Sequence, residues 1–206
     1  MKLIIVRHGE TEANLKSIVQ GHLHGKLTKK GRQQAKCVAL RLKDEKIDLI
    51  LSSDLKRAID TAKEIKGYHK APLKLTKELR ERNTGIYNGK HIEIVKAARE
   101  KSGKSMSEFK PKNGESYIEV KKRVHKFLKK ILAKHKGNTI VIVTHSAFIR
   151  MLLSIILEKS MEEAFELERQ GNASVSIITF EGRERKVHII NCTKHLDGTI
   201  ASNKSK

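Results

Sequence analysis

The chain predicts an α/β fold, a three-layer sandwich whose mostly parallel central sheet carries helices on both faces. Three observations point there. Short valine- and isoleucine-rich runs, "KLIIV", "IDLILSS" and "NTIVIVTH", read as buried strands. Longer segments with a helical apolar stripe separate them. Strands that alternate with helices long enough to cross over pair in parallel. With prolines only at Pro72 and Pro111 and no Gly/Ser-rich linker, residues 1–195 of the 206 read as one domain.

In order, 2–6 is a strand and 27–45 a helix with Thr28 as N-cap and Ala35, Val38, Ala39 and Leu42 on one stripe. A strand over 47–53 leads into a helix over 54–67, with Asp54 placed to cap it and Gly67 to close it. Residues 73–75 form a short strand, 78–90 a loop and 91–101 a helix. The polar stretch 102–116 has no clear period. The helix over 116–137 places Val120, Val124, Phe127, Leu128 and Ile131 on one face. The strand over 138–145 is apolar on both faces, which marks it as central. A helix over 147–157 and strands over 173–181 and 186–192 follow. The end, 196–206, reads as a flexible basic tail.

The formal net charge is +21. Such a chain attracts polyanions non-specifically. Its lysines are spread along the whole length, and aromatic residues make up only 4%, so platforms for base stacking are scarce. Specific nucleic-acid binding is therefore not expected. No apolar run is long enough to cross a membrane, and "MKLIIV" is too short for a secretion signal, which points to a cytoplasmic protein. Cys37 and Cys192 have neither disulfide-framework nor zinc spacing. Cys37 falls on a core stripe. His22 and His24 lack a third ligand, so no metal is expected.

In parallel sheets, ligands sit beyond the carboxyl ends of the strands. Three predicted strand ends carry "RHGE", "LSSDLKR" and "THSA". Arg7, His8, Arg57 and His145 brought together make a strongly cationic site suited to phosphate, whose oxygens match arginine's planar fork. A histidine nitrogen can attack phosphorus and split one transfer into two. The leaving oxygen then needs a proton, and Glu10, Glu78, Glu81 and Glu115 are candidates to give it.

"LIIVRHGET" with Asn14, "LSSDLKRAIDTA", "ELRERNTGIYNG", "NGES", "VIVTHS" and the closing "GNASVSIITF" together resemble the histidine phosphatase superfamily, also called phosphoglycerate mutase-like, in that family's order. The resemblance implies roles at matching positions. His8 corresponds to the phosphorylated nucleophile. Arg7 and Arg57 correspond to the phosphate clamps, His145 to a donor to the phosphoryl group, Glu81 to the general acid and base. Asn14 matches a further phosphate contact, and Gln20 and Gly21 fall where the family touches substrate. Ser146 stands in place of a usual glycine beside the second histidine. His24, Lys26 and Tyr87 are further departures that bear on the pocket's shape. No cofactor is implied, except that mutase members need a 2,3-bisphosphoglycerate primer.

The segment between Glu81 and His145 is short, and an unenclosed phosphohistidine is open to water. The expectation is therefore metal-independent hydrolysis of a small phosphorylated metabolite. Phosphoglycerate mutase is the alternative. A non-catalytic polyanion- or RNA-binding module ranks below both, because every catalytic residue type is present. Lys96, Arg99, Lys104, Lys110 and Lys112 read either as a grip for a multiply charged substrate or as a solvated face.

Overall fold

The computed structural model describes residues 1–182 and 184–197. Six strands form one sheet: β1 (Lys2–Arg7), β2 (Leu49–Ser53), β3 (Leu73–Thr76), β4 (Thr139–Thr144), β5 (Val175–Glu181) and β6 (Glu184–Cys192). Their order across the sheet is β3-β2-β4-β1-β5-β6. The pairings β1–β4, β2–β4 and β2–β3 are parallel, while β5 runs antiparallel to both β1 and β6. The helices are α1 (Glu12–Leu15), α2 (Lys29–Leu42), α3 (Lys56–Lys66), α4 (Ile92–Lys101), α5 (Tyr117–Lys134), α6 (Ser146–Ile156) and α7 (Met161–Glu166).

Alternation along β1 separates two cores, because successive side chains in a strand point to opposite faces. Leu3 and Ile5 join Val124, Phe127, Phe148 and Leu152 of α5 and α6 on one face. Ile4 and Val6 join Val38, Leu42, Ala58 and Ile65 of α2 and α3 on the other. The Phe127 and Phe148 rings meet edge to face at 5.7 Å, an arrangement aromatic quadrupoles favour. Helices therefore cover both faces, as the sequence predicts.

Register places the chemistry. Arg7 lies opposite Thr144, and Ser52 opposite Val143, so β1, β4 and β2 end side by side. Four segments depart from the expected elements. Asp54 does not cap α3. Leu55 occupies the cap without a side-chain bond, and Asp54 instead forms a two-toothed ion pair with Arg80 at 2.7 and 2.6 Å. Helices α1 and α7 were not expected; Thr11 and Ser160 cap them through capping boxes. The expected tail begins too early, because Leu196 is 6% exposed and packs in the core beside α2. The rest of that tail, 198–206, lies outside the described residues.

Candidate active site

The ends of β1, β2 and β4 open into a cavity of about 340 Å³. Arg7, His8, Arg57 and Glu81 line it together with Asn14, Gln20, Gly21 and Ser146. His145 does not line it. This residue is fully buried, with its ring 5.1 Å from that of His8. The sequence thus brings all nine predicted residues to one place, with one of them beneath the surface of the cavity.

His8 Nδ1 donates to the Gly9 carbonyl at 2.7 Å. A carbonyl can only accept, so in the neutral ring the proton sits on Nδ1 and the Nε2 lone pair is left for chemistry. Burial first, then the Arg57 and Arg7 guanidiniums, push the His8 imidazole well below the usual range, with the Gly9 bond opposing. Close packing fixes the turn: a Cβ on Gly9 would lie 2.4 Å from the Gly31 carbonyl oxygen of α2. Behind His8, the Ser53 hydroxyl meets His145 Nε2 at 2.8 Å. When Ser53 donates, the His145 proton lies on Nδ1, which has no partner among the described residues.

The guanidiniums are anchored by carbonyls rather than carboxylates. Arg7 donates to Gln170 O, and Arg57 to Leu23 O and Gly21 O. Their Nε atoms are buried without partners among the described residues. Burial lowers both pKa values to about 10, with the Glu81 charge opposing, so both stay cationic at neutral pH. Buried unpaired donors are costly, and three around one histidine make a cradle for an anion.

The four candidate carboxylates part company here. Glu10 accepts from Thr28 Oγ1, Glu78 pairs with Lys130 at the surface, and Glu115 pairs with Arg123. Glu81 alone among them lines the cavity. Its Oε1 accepts the Ala147 amide at 3.0 Å and the Arg82 amide at 2.9 Å, which sets the carboxylate against the first turn of α6. Arg123 holds the loop from behind through the carbonyls of Glu78, Arg80 and Glu81.

Asn14 accepts from the Thr11 amide and from Asn172 Nδ2, so its own amide nitrogen is turned outward from those bonds. Asn172 also donates to the His8 carbonyl. Gly21 has φ +46°, and a Cβ there would strike Asn88 Oδ1 at 1.9 Å. The departures at His24, Lys26 and Tyr87 fall outside the cavity lining, and Ser146 falls in it. None of Lys96, Arg99, Lys104, Lys110 and Lys112 lines the cavity. Lys96, Arg99 and Lys110 pair with Glu93, Glu100 and Glu119, so this segment is a solvated face. Sequence reasoning missed Ser53, Asn172, Arg82, Arg150 and Arg169. Ser53, Arg82 and Asn172 lie in the quoted stretches "LSSDLKR", "ELRERNTGIYNG" and "GNASVSIITF" and could have been found there; Arg150 and Arg169 carry no local signal. Among the described residues no group of three or more histidines, cysteines or acids gathers as a metal site.

A parallel sheet whose strand ends carry a buried histidine, two guanidiniums and one carboxylate around a small cavity defines a phosphate-handling enzyme. Residues 3–193 match the model of the histidine phosphatase superfamily, branch 1, and the chain belongs to that superfamily. It is 36% identical to phosphoglycerate mutase-like protein 4 of Arabidopsis thaliana, across 96% of this chain and 88% of that one. It is 34% identical to phosphoserine phosphatase 1 of Hydrogenobacter thermophilus, across 95% and 94%. The solved structure of an Entamoeba histolytica phosphoserine phosphatase with 3-phosphoglyceric acid superposes with a TM-score of 0.83 at 31% identity, covering 95% and 98%. The chain is thus an enzyme of a family of phosphatases and mutases. No helix among the described residues is long and apolar enough to cross a membrane.

Proposed function

We propose that this enzyme is a phosphomonoester hydrolase that acts on a small phosphorylated metabolite in the cytoplasm through a phosphohistidine at His8. One observation carries the reading: His8 Nδ1 is tied to its own loop, leaving Nε2 in a cavity that Arg7, Arg57 and Glu81 also line. Nε2 attacks phosphorus in line. The bond from phosphorus to the ester oxygen breaks, and protonated Glu81 gives that oxygen its proton. Glu81, now a carboxylate, takes a proton from water; the water oxygen attacks phosphorus, the bond to nitrogen breaks, and inorganic phosphate leaves. Arg7, Arg57, the Asn14 amide and the His145 Nδ1–H stabilise the oxygens of the phosphoryl group in flight. Gln20, Gly21 and Ser146 contact the rest of the substrate. Two guanidiniums supply the charge that a divalent cation supplies elsewhere, so the chemistry needs neither metal nor organic cofactor.

Phosphate release from an aryl phosphomonoester in EDTA, by wild type and His8→Ala side by side, tests the reading. Activity in the wild type that vanishes with His8 is the expected result. Faster interconversion of 3- and 2-phosphoglycerate than hydrolysis, dependent on a bisphosphorylated primer, would make the enzyme a mutase instead. Salt-sensitive RNA retention with no activity in either assay would make it a binding module.

A further inference from the structure

The histidines of "HLH", which gather no third metal ligand among the described residues, have partners on two sides of the cavity. Gly21 O and Leu23 O accept from Arg57 Nη2 and Nη1. His24 Nδ1 accepts the Lys56 amide at 3.3 Å, at the start of the helix that carries Arg57. These contacts bind the loop to the phosphate clamp. His22 turns the other way: its Nε2 meets the Glu81 carbonyl at 2.9 Å, and the residue is not part of the cavity lining. A carbonyl only accepts, so Nε2 bears the proton whether the ring is neutral or charged. Burial first, with Arg80 and Arg123 after it, lowers the His22 pKa, while the Glu81 bond and the Glu115 charge oppose. A second proton would go to Nδ1, so this tether does not titrate.

The bond reaches the carboxylate of Glu81 through one rigid unit. The Glu81 C=O and the Arg82 N–H belong to the same planar peptide. His22 holds the oxygen end, and the nitrogen end donates to Glu81 Oε1 at 2.9 Å. Fixing the carbonyl therefore fixes the direction of that N–H, and with it the place of the carboxylate. Arg123 Nη2 reaches the Glu81 carbonyl at a longer 3.3 Å, and the same guanidinium also serves Glu78, Arg80 and Glu115. Glu81 lies in no helix or strand, so the orientation of its peptide rests on these bonds.

We propose that His22 is a positioning residue, which sets the Glu81 carboxylate relative to the Arg57 clamp and so governs proton transfer to the leaving oxygen. This rests on the reading of Glu81 as the acid. Through the consecutive residues Gly21, His22 and Leu23, the group that holds the phosphoryl is joined to the group that protonates the leaving oxygen. A displacement of about 1 Å can cost about a hundredfold in rate. The bonds of Arg57 go to backbone carbonyls and survive a change of side chain at position 22.

Esters that differ in leaving group decide the matter through kcat/KM, which reports the first chemical step. The leaving oxygen of glycerol 3-phosphate needs a proton; that of 4-nitrophenyl phosphate does not. His22→Phe keeps a ring without a donor. Its expected loss is about ten- to a hundredfold with the alkyl ester and no more than about threefold with the nitrophenyl ester. His22→Ala, which also lacks the donor and adds no bulk, repeats the pattern. His22→Gln, whose amide nitrogen can reach the same carbonyl, regains most of the alkyl-ester rate. Inhibition by orthovanadate, which reads the clamp, changes by no more than about threefold in all of them. Equal losses with the two esters, a Gln variant no better than Phe and Ala, or full alkyl-ester activity without the donor overturns the proposal. Glu81→Gln in the same assays separates the two readings. An ester contrast in Glu81→Gln with none in the donor-less variants sinks the positioning role alone. No contrast in Glu81→Gln, or no hydrolysis by the wild type, sinks the acid reading and the positioning role with it.

Discussion

The cavity has two regions built on opposite principles. Its floor, Arg7, His8, Arg57 and His145, is almost completely buried and projects from the ends of adjacent parallel strands and the helices that follow them. Its outer wall, Arg82, Arg150 and Arg169, comes from a loop, the second turn of α6 and the segment before β5. The floor holds unsatisfied donors that rigid strands cannot move away. The wall is braced by aromatic rings and reaches solvent at Arg169. In the proposed mechanism the reaction chemistry sits where the backbone is least adjustable, whereas single side chains of the wall can change without disturbing the sheet.

The sharpest way to break this division is to strip the floor. Glu81→Gln keeps the shape but removes the transferable proton. With an alkyl phosphate the expected loss in kcat is about 10²- to 10⁴-fold. With a nitrophenyl ester, whose leaving oxygen needs no proton, the loss in kcat/KM, which reports the first step alone, is much smaller, and kcat/KM measured with both esters gives the contrast, while kcat falls for both through the shared water step. Equal losses in kcat/KM would deny Glu81 its acid role. Arg57→Ala is expected to cost about 10²- to 10³-fold in kcat/KM for every phosphomonoester alike, because it acts on the phosphoryl group and not on the leaving group. Wall substitutions such as Arg169→Gln should instead discriminate among substrates.

A smaller effect appears in stability. His8 and His145 both have native pKa values pushed well below the ordinary 6.5, mainly by burial and then by Arg57. Below that pH the unfolded chain binds protons that the native floor resists, so stability present above about 6.5 is lost as pH falls. Thermal melts of the free protein should show Tm falling below pH 6.5. Sulfate remains a dianion across this range and favours protonated histidines beside it. Its stabilisation should therefore grow as pH falls, and a sulfate effect independent of pH would contradict the cationic floor.

The same contrast governs what the sequence reveals. The floor is legible because its residues follow apolar runs that predict strands, and parallel strands align their carboxyl ends. Helix α2 is legible from its stripe and from Thr28, whose side chain accepts from the Gly31 amide as predicted. The wall is not legible at Arg150 and Arg169, since Arg150 lies on a helix that reads as ordinary core and Arg169 in a segment without period. Asp54 misleads because a capping residue type preceding a helix is equally suited to an ion pair, and Arg80 from a distant loop captures it. The short helices α1 and α7 offer too few residues for a period to emerge. Leu196 is buried only because β6 delivers it to α2, which no local pattern announces.

Trapping the covalent intermediate addresses the His8 assignment without reference to any natural substrate. Wild-type enzyme mixed with a radiolabelled aryl phosphate and quenched in alkali within the first turnover should carry label that survives base and is released by acid, as a phosphoramidate does. Peptide mapping should place that label on His8, and His8→Ala should carry none. Label that survives acid, maps to a serine or a carboxylate, or persists in His8→Ala would contradict the phosphohistidine.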